Sequence, residues 1–415
     1  MTQSAEGEPW HVIGFCSRDA FRNVEYVARL FQERMGLVLV RGIEEGFSVE
    51  SIQTRLISRR DAVLSVAGTA ASVAVLRGNE LSAFRGDADA EAKTAFCFVT
   101  DTHYLADKQN PEAMDSRSAE ICRRLVETLN GLPGERIAEK AGGGRVSEMS
   151  GVIHGGDLVD SADKRGGVYP RMYATEFAAF EADYGLNGSD GLLNYPVYEV
   201  YGNHDGPQGD TLVVEGIKRR NKQRRGLTKV SPNGLHYSWD WQAVHFVNLG
   251  IVVGQSGGDL QRRRYAPMDS LQFLKDDLQQ MGDKTRPVVI TQHVDLARYS
   301  IPYLKDEDKF LQMEWHPQDV TAFHETVAPF HVIANFFGHT HRREIFGWNG
   351  TPMRKQFNQA DVDAFNGDNS SHFHGGKQAF FYVELSENDL VVREVMTDDA
   401  WRTYDWAETI WAKKI

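Results

Sequence analysis

Short apolar segments alternate with amphipathic ones along residues 92–400, and each of five apolar segments ends in a polar motif. Apolar segments of this length, bounded by turn residues, predict strands. They are residues 95–100, 150–154, 196–201, 287–291 and 330–337. Helical spacing of apolar residues predicts helices over 116–130, 169–184 and 268–281, while residues 236–250 and 380–396 alternate as paired strands do. The alternation of strands and helices predicts an α/β fold, with antiparallel hairpins added late in the chain.

The polar motifs that follow these strands carry side chains able to bind a metal. Sites in open α/β sheets are built at the carboxyl ends of strands, so these side chains are expected to converge. They are Asp101, His103, Asp157, Asn203, His293, His339 and His341. Carboxylate, imidazole and amide ligands suit a divalent ion such as Zn, Mn or Fe. Seven ligands are too many for one tetrahedral ion and suit two ions about 3.5–4 Å apart that share a bridging carboxylate.

The order of the motifs is more specific than any one of them. Asp-x-His, Gly-Asp-x-x-Asp, Gly-Asn-His-Asp, a single His and Gly-His-x-His follow one another along the chain. In this order the sequence resembles the calcineurin-like metallophosphoesterase superfamily, over roughly residues 93–400. The resemblance implies a layered β-sandwich flanked by helices (αββα) and two bound divalent metal ions, Fe, Mn or Zn.

The same resemblance implies a role for each ligand. The ligands of the first metal would be Asp101, His103 and His341, and those of the second would be Asn203, His293 and His339. Asp157 would bridge the two ions. A hydroxide between the metals would then attack phosphorus, without a covalent enzyme intermediate.

Two further residues are implied as catalytic. His204 would protonate or stabilise the leaving oxygen, and Asp205 would orient His204. Asp160, which closes the Gly-Asp-x-x-Asp motif, is expected to lie outside the ligand set. A tyrosine at position 160 would have indicated a purple acid phosphatase, so its absence argues against that branch.

The predicted function is hydrolysis of a small phosphorylated substrate, either a phosphomonoester or a small phosphodiester. A noncatalytic metal-binding scaffold of the same fold and a nuclease are the alternatives. The chain has 58 acidic and 46 basic residues and a formal net charge of −12, which disfavours nonspecific binding to nucleic acid. No apolar run reaches the roughly 18 residues of a membrane-spanning helix. The oligomeric state stays open.

Some polar residues have more than one interpretation. Residues 218–225 contain six basic side chains, which would either hold an anionic substrate or form a solvated helix face or loop. His372 and His374 lie in a Ser/His/Gly-rich segment that either lines the rim of the site or is a plain loop. His154 either supports a metal ligand or packs in the core.

The first ninety residues contain ten Arg and no Lys, unlike the rest of the chain. The pair Arg59-Arg60 precedes an uncharged segment, residues 62–76, and Ala88-Asp89-Ala90 follows as a small-x-small site. This order resembles a twin-arginine export leader. It predicts export to the periplasm or outside the cell, with a packed Ala/Val-rich helix and a cytoplasmic location as the alternative.

The predicted organisation therefore has four parts. Residues 1–58 are an extension of unknown role, residues 59–90 the leader, residues 93–400 the metallophosphoesterase domain and residues 401–415 a C-terminal tail. Cleavage after Ala90 would leave one large domain.

Overall fold

The computed structural model describes residues 94–256, 264–296, 314–350 and 362–415 in full, and the backbone of four strands among the first 93 residues. The chain divides into two compact units, Met1–Ala90 and Glu91–Ile415.

The first unit contains one antiparallel sheet with the order β1-β4-β3-β2. Its strands are β1 (Trp10–Gly14), β2 (Val27–Phe31), β3 (Leu37–Arg41) and β4 (Ser72–Arg77). The uncharged segment 62–76 was predicted to be the apolar core of an export leader, or alternatively a packed helix. In the structure its last residues, from Ser72 onward, belong to strand β4. Alternate β-branched residues such as Val73 and Val75 favour a strand there. The Arg59-Arg60 pair lies outside the described residues, and export stays a prediction.

The second unit holds two larger sheets and the helices that cover them. The helices are α1 (Ser116–Gly131), α2 (Tyr169–Tyr184), α3 (Leu212–Gln223), α4 (Ser270–Met281) and α5 (Pro317–Val327). One sheet contains β5 (Thr94–Val99), β6 (Gly151–His154), β7 (Val197–Glu199), β15 (Gln378–Leu385), β16 (Asp389–Thr397) and β17 (Asp405–Lys414). The other contains β8 (Leu227–Val230), β9 (Tyr237–Trp241), β10 (Val244–Asn248), β11 (Val288–Thr291), β12 (Val332–Phe337), β13 (Glu344–Trp348) and β14 (Val362–Asn366). Among the described residues, no helix is long and apolar enough to cross a membrane.

The strand orders are β17-β16-β15-β5-β6-β7 and β13-β14-β12-β11-β10-β9-β8. Strands β5, β6 and β7 run parallel to one another, as do β10, β11, β12 and β14. Each sheet therefore has a parallel centre, whose strand ends can carry a site, and antiparallel strands beside it. The expected mixture of parallel strands and late hairpins is confirmed.

The two sheets pack face to face through aromatic side chains of their central strands. Phe96 of β5 contacts Phe246 of β10 with ring centroids 5.6 Å apart, and Phe98 lies 5.1 Å from Phe336 of β12. The other face of β5, which includes Cys97, shares a core with helices of the outer layer. Burial on both faces explains why β5 reads as a continuous apolar run. The predicted αββα sandwich is confirmed.

Some elements differ from the sequence prediction. Helices α3 and α5 were not predicted, because charged residues dilute their apolar pattern. The segment predicted as a C-terminal tail contributes β17, the edge strand that pairs with β16. Trp401 and Trp406 are buried, so these tail residues belong to the core of the second unit.

Part of the basic segment 218–225 is held in ion pairs within the fold. Arg220 and Arg224 are buried and contact Glu199 at 2.7 and 2.8 Å. Burial by itself raises the pKa of Glu199, but the two guanidinium groups outweigh it and lower the pKa to about 2. The segment therefore attaches α3 to the end of β7, next to the loop that carries Asn203.

The buried His236 predicts a loss of stability in mild acid. Its Nε2 donates to the carbonyl of Met268 at 2.8 Å, and burial lowers its pKa from 6.5 to about 4. Protons therefore bind the unfolded chain first as the pH falls from 6.5 towards 4, and the native state loses stability across that window. We expect about 2–3 kcal/mol to be lost between pH 7 and 4.5 through this residue alone.

Urea unfolding of metal-free protein at both pH values, with His236→Gln as the comparison, measures this contribution. The glutamine can keep the bond to Met268 but does not titrate. The wild-type protein should lose more unfolding free energy than the variant, and equal losses would contradict the assignment.

Candidate metal centre

The loops that follow β5, β6, β7, β11 and β12 meet at one edge of the sandwich. Each loop follows a strand of the parallel part of a sheet at its carboxyl end, which is where α/β sheets build sites. The seven side chains predicted as metal ligands all lie in these loops: Asp101, His103, Asp157, Asn203, His293, His339 and His341.

The first group of ligands joins the β5 and β12 loops. The Nε2 atoms of His103 and His341 lie 3.1 Å apart, and His341 Nε2 is 3.3 Å from Asp101 Oδ1. The oxygens of Asp101 also accept hydrogen bonds from Thr100 Oγ1 at 2.7 Å and from the backbone N–H of His339 at 3.0 and 3.1 Å. These bonds hold the carboxylate in place while one edge of it faces the histidines.

The second group joins the β6, β7 and β11 loops. His293 Nε2 is 3.1 Å from Asp157 Oδ2 and 3.2 Å from Asn203 Oδ1. His293 Nδ1 donates to the carbonyl of Gly155 at 2.8 Å, which leaves a lone pair on Nε2 for the centre. The same Asp157 oxygen is 3.6 Å from His103 Nε2 of the first group. Asp157 therefore occupies the position of a bridge between the two groups.

His339 sits at the edge of the second group. One of its ring nitrogens lies within 4.8 Å of ligand atoms of Asp157 and His293. Its Nε2 is also 3.0 Å from Glu314 Oε1, and the Glu314 side chain is only 5% exposed and contacts Arg264 at 3.3 Å. Glu314 is not predictable from the sequence, because it lies in no motif and follows no predicted strand.

The donor set fits divalent cations. Among the residues that the structure describes, three groups of His and Asp atoms lie close enough to share an ion, and two of them include Asp157. Two nitrogens that are each about 2.0–2.1 Å from a tetrahedral ion lie about 3.3 Å apart, close to the separation of His103 and His341 Nε2. Imidazole, carboxylate and amide oxygens without thiolates suit Zn, Mn or Fe.

The backbone of these loops is strained. Five of the seven ligands have positive φ angles between 46° and 73°: Asp101, His103, Asp157, His339 and His341. Such conformations cost a non-glycine residue of the order of 1–3 kcal/mol and persist where the surrounding structure enforces them. These unfavourable backbone conformations are concentrated in the loops of one site. They indicate that the loops place the side chains correctly at the expense of local backbone stability.

Close packing explains the glycines of the motifs. A Cβ on Gly202 would lie 2.2 Å from Asp157 Oδ1, and a Cβ on Gly338 would lie 2.2 Å from Asp101 Oδ2. Both carboxylates thus lie directly against the backbone of a neighbouring loop. Any side chain at either glycine would displace a ligand.

The carboxylates and histidines of the centre shift each other's pKa. Burial opposes ionisation of Asp157, but His293 and His204 outweigh it and hold the pKa of Asp157 well below its usual range. Burial likewise disfavours protonated His293, yet Asp157 raises its pKa to about 9. Without a cation His293 is therefore protonated at neutral pH, and the proton on its ligand nitrogen must leave when a cation binds.

His204 and Asp205 are placed differently from each other. His204 Nδ1 donates to the carbonyl of Asp160 at 2.9 Å and lies 3.5 Å from Asp163 Oδ1. Burial lowers the pKa of His204, but Asp157 and Asp163 outweigh it and raise the pKa to about 10. The ring is therefore held by the β6 loop, with a proton available at neutral pH.

The contacts of Asp205 differ from the expected ones. Its carboxylate accepts backbone N–H groups from Gly202, Leu158 and Val159 at 2.7, 3.2 and 3.0 Å. It thus joins the β7 loop to the β6 loop, whereas His204 is oriented by Asp160 and Asp163. Burial, followed by the charge of Asp157, raises the pKa of Asp205 to about 7.

Asp160 and His154 lie behind the ligands. Asp160 Oδ1 is 3.4 Å from Nδ1 of His103, the ring nitrogen turned away from the centre. A carboxylate in this position can orient a histidine that binds a metal. His154 bonds to Thr102 Oγ1 at 2.9 Å, and burial lowers its pKa to about 3. His154 therefore supports the β5 loop as a neutral side chain.

His372 lies at the centre, while its neighbour His374 is exposed. The ring of His372 is 4.6 Å from that of His103 and 5.0 Å from that of His341, measured between centroids. One of its nitrogens lies within 4.8 Å of ligand nitrogens of both. The sequence alone is compatible with a position at the rim of the site or in a plain loop.

Comparison with known proteins agrees with this geometry. The sequence model described as calcineurin-like phosphoesterase matches residues 94–343, which contain every predicted metal ligand. No curated protein sequence matches the chain.

Several solved structures are similar at low sequence identity. A dimetal phosphatase from Danio rerio is 14% identical with a TM-score of 0.41, over 77% of this chain and 98% of that one. A conserved uncharacterized protein from Streptococcus pneumoniae is 10% identical with a TM-score of 0.29, over 79% and 99%. Vacuolar protein sorting 29 from Cryptosporidium parvum is 11% identical with a TM-score of 0.29, over 78% and 99%.

Proposed function

Because this chain belongs to the calcineurin-like phosphoesterase family, we propose that it hydrolyses phosphomonoesters or small phosphodiesters with two divalent metal ions. The observation that carries the proposal is the meeting of two ligand groups at one oxygen of Asp157. Cations bound there would neutralise phosphoryl oxygens and lower the pKa of water. Zn, Mn and Fe are the ions that the ligand types favour.

The chain's own residues would supply the remaining steps. Two ions would be held by Asp101, Asp157, Asn203 and the four predicted ligand histidines, and bound there they would position the reacting phosphoryl group. His204, whose Nδ1 is fixed by Asp160, turns its other nitrogen to donate a proton to the leaving oxygen. Because the bond between the β7 and β6 loops is made by Asp205, that residue positions the loop that carries His204.

A small substrate is favoured over nucleic acid. The chain is acidic overall, and the ion pairs of Arg220 and Arg224 with Glu199 occupy part of its strongest basic segment. A nuclease needs basic groups free to track a phosphate backbone.

Hydrolysis of mono- and bis-p-nitrophenyl phosphate by protein loaded with Mn, Fe or Zn tests the proposal. Activity that is lost with chelator and restored by metal supports it, and the ratio between the two substrates separates a monoesterase from a diesterase. Activity on neither substrate, with two ions bound per chain, would reject catalysis in favour of a metal-binding scaffold.

We also propose that the chain is exported through its Arg59-Arg60 leader. The mature protein is then expected to begin near Glu91, which mass spectrometry of the purified protein measures. Replacing both arginines with lysine should leave the uncleaved chain in the cytoplasm, since charge is retained while the paired arginines are lost. A secreted or periplasmic protein with Met1 intact would contradict cleavage.

A further inference from the structure

The loop between β14 and β15, residues 367–377, is hydrogen-bonded to the β5 loop, which carries Asp101 and His103. The backbone N–H of Ser370 donates to the carbonyl of Thr100 at 2.9 Å. Ser371 Oγ donates to the carbonyl of Thr102 at 3.2 Å, and Thr100 N–H donates to Ser370 Oγ at 3.1 Å. Because these bonds flank Asp101 on both sides, the two loops form one structure around the centre.

His372 is the side chain that this loop brings to the ligands. Its ring stacks on Phe373 and His374, with centroids 4.3 and 4.7 Å away, and only 9% of the residue is exposed. Its carbonyl accepts a hydrogen bond from the buried Gln378 at 3.0 Å. Ring stacking and this bond determine the orientation of the imidazole before any substrate arrives.

The hydrogen bond made by Nδ1 of His372 determines whether its Nε2 is a donor or an acceptor. Its Nδ1 accepts the backbone N–H of His374 at 3.1 Å, which requires a lone pair on Nδ1 and places the proton of the neutral ring on Nε2. His293 has the opposite arrangement, because its Nδ1 donates to a carbonyl and its Nε2 is the nitrogen that can bind a cation once its proton has left. His293 is therefore prepared to bind a cation, and His372 is prepared to donate a hydrogen bond.

We propose that Nε2–H of His372 donates a hydrogen bond to an oxygen of the phosphoryl group bound beside His103 and His341. A tetrahedral oxyanion at the centre presents more oxygens than two cations occupy, and a fixed donor in a buried site binds such an oxygen strongly. Phosphate esters and free phosphate share this chemistry. The inference rests on the proposed phosphoesterase function.

The affinity of metal-loaded protein for inorganic phosphate, measured by calorimetry, tests the donor directly. We expect His372→Ala to weaken phosphate binding about 10- to 100-fold, because a hydrogen bond to a charged group is lost. His372→Gln, whose amide N–H can reach the position of Nε2, should stay within a few-fold of wild type. Lys377→Ala is the matched control on the same loop and should leave phosphate affinity unchanged, since this exposed side chain pairs with Glu394 of β16 at 3.6 Å.

Metal content by plasma mass spectrometry and thermal melting accompany each variant. Wild-type metal content in His372→Ala is expected, and loss of an ion from it would overturn the proposal by making His372 a ligand. Unchanged phosphate affinity in His372→Ala would overturn it as well. If His372→Ala lowers the melting temperature, His372→Leu replaces it, because leucine fills the space without providing a hydrogen-bond donor. The same loss of phosphate affinity is then expected.

The proposed function can fail separately. In that case metal-loaded wild-type protein would hydrolyse neither aryl phosphate but would still bind phosphate through His372. Turnover with normal phosphate binding in His372→Ala would instead reject the donor and retain the enzyme.

Discussion

Asp157→Asn is expected to lower kcat/KM on an aryl phosphate by at least about 10³-fold, since metal ions supply several kcal/mol of transition-state stabilisation. It should also reduce bound metal to one ion per chain or fewer. The Oδ2 atom of Asp157 is shared by His293 and His103 at 3.1 and 3.6 Å, and a neutral amide cannot bridge two cations there.

The fold itself should survive this substitution. Oδ1 of Asp157 accepts the backbone N–H of His204 at 2.8 Å, and an asparagine oxygen can keep that bond while its amide group turns to the centre. Asp276→Asn, on the exposed face of α4, is the matched control and should change neither activity nor metal content. Two ions and full activity in Asp157→Asn would rule out a bridging carboxylate.

His204→Ala should lower turnover about 10²- to 10⁴-fold and leave both ions in place, because general acid catalysis contributes in this range. The imidazole is held by Asp160 and Asp163, whereas the contact of this residue with Asp157 is made by its backbone N–H, which alanine retains. Kinetics and metal analysis of the same sample separate the two effects.

The neighbouring Asn203→Ala is the contrasting variant. Asn203 Oδ1 lies 3.2 Å from His293 Nε2, so its removal should cost the second ion, unlike the removal of His204. The defect of His204→Ala should also be larger for phenyl phosphate than for p-nitrophenyl phosphate, because a poorer leaving group depends more on a proton donor. An equal defect on both substrates would argue against proton donation, and loss of metal would make His204 a ligand.

Much of the fold could be predicted from the sequence, because its central strands are encoded locally. Apolar runs that end in polar motifs marked β5, β6, β7, β11 and β12, and the predicted helices over 116–130 and 169–184 match α1 and α2. Helix α3 could not be predicted, because charged residues lie between its buried apolar residues. Two of its polar residues, Arg220 and Asn221, are themselves buried against partners that only the fold supplies.

The site was predictable in part for a related reason. Ligand types and motif order are properties of short segments, and they placed Asp101, Asp157 and His293 on loops that do meet. The role expected for Asp205 differed, because its partners are backbone groups of the β6 loop 46 and 47 positions away. The position of Glu314 at the site could not be predicted from any sequence pattern, since only the tertiary structure brings it to His339.

By itself the sequence determined which chemical groups this protein carries and which strands present them, since strand periodicity and adjacent motifs are local. Only the tertiary structure decided which way each group faces. Ser371 and Thr102 are 269 positions apart, yet their hydrogen bond is part of what brings His372 to the metal centre. The direction of the proton on His372 follows from a backbone N–H of its own loop. The placement of a side chain and the position of its proton depend on three-dimensional contacts, which no local pattern of residues encodes.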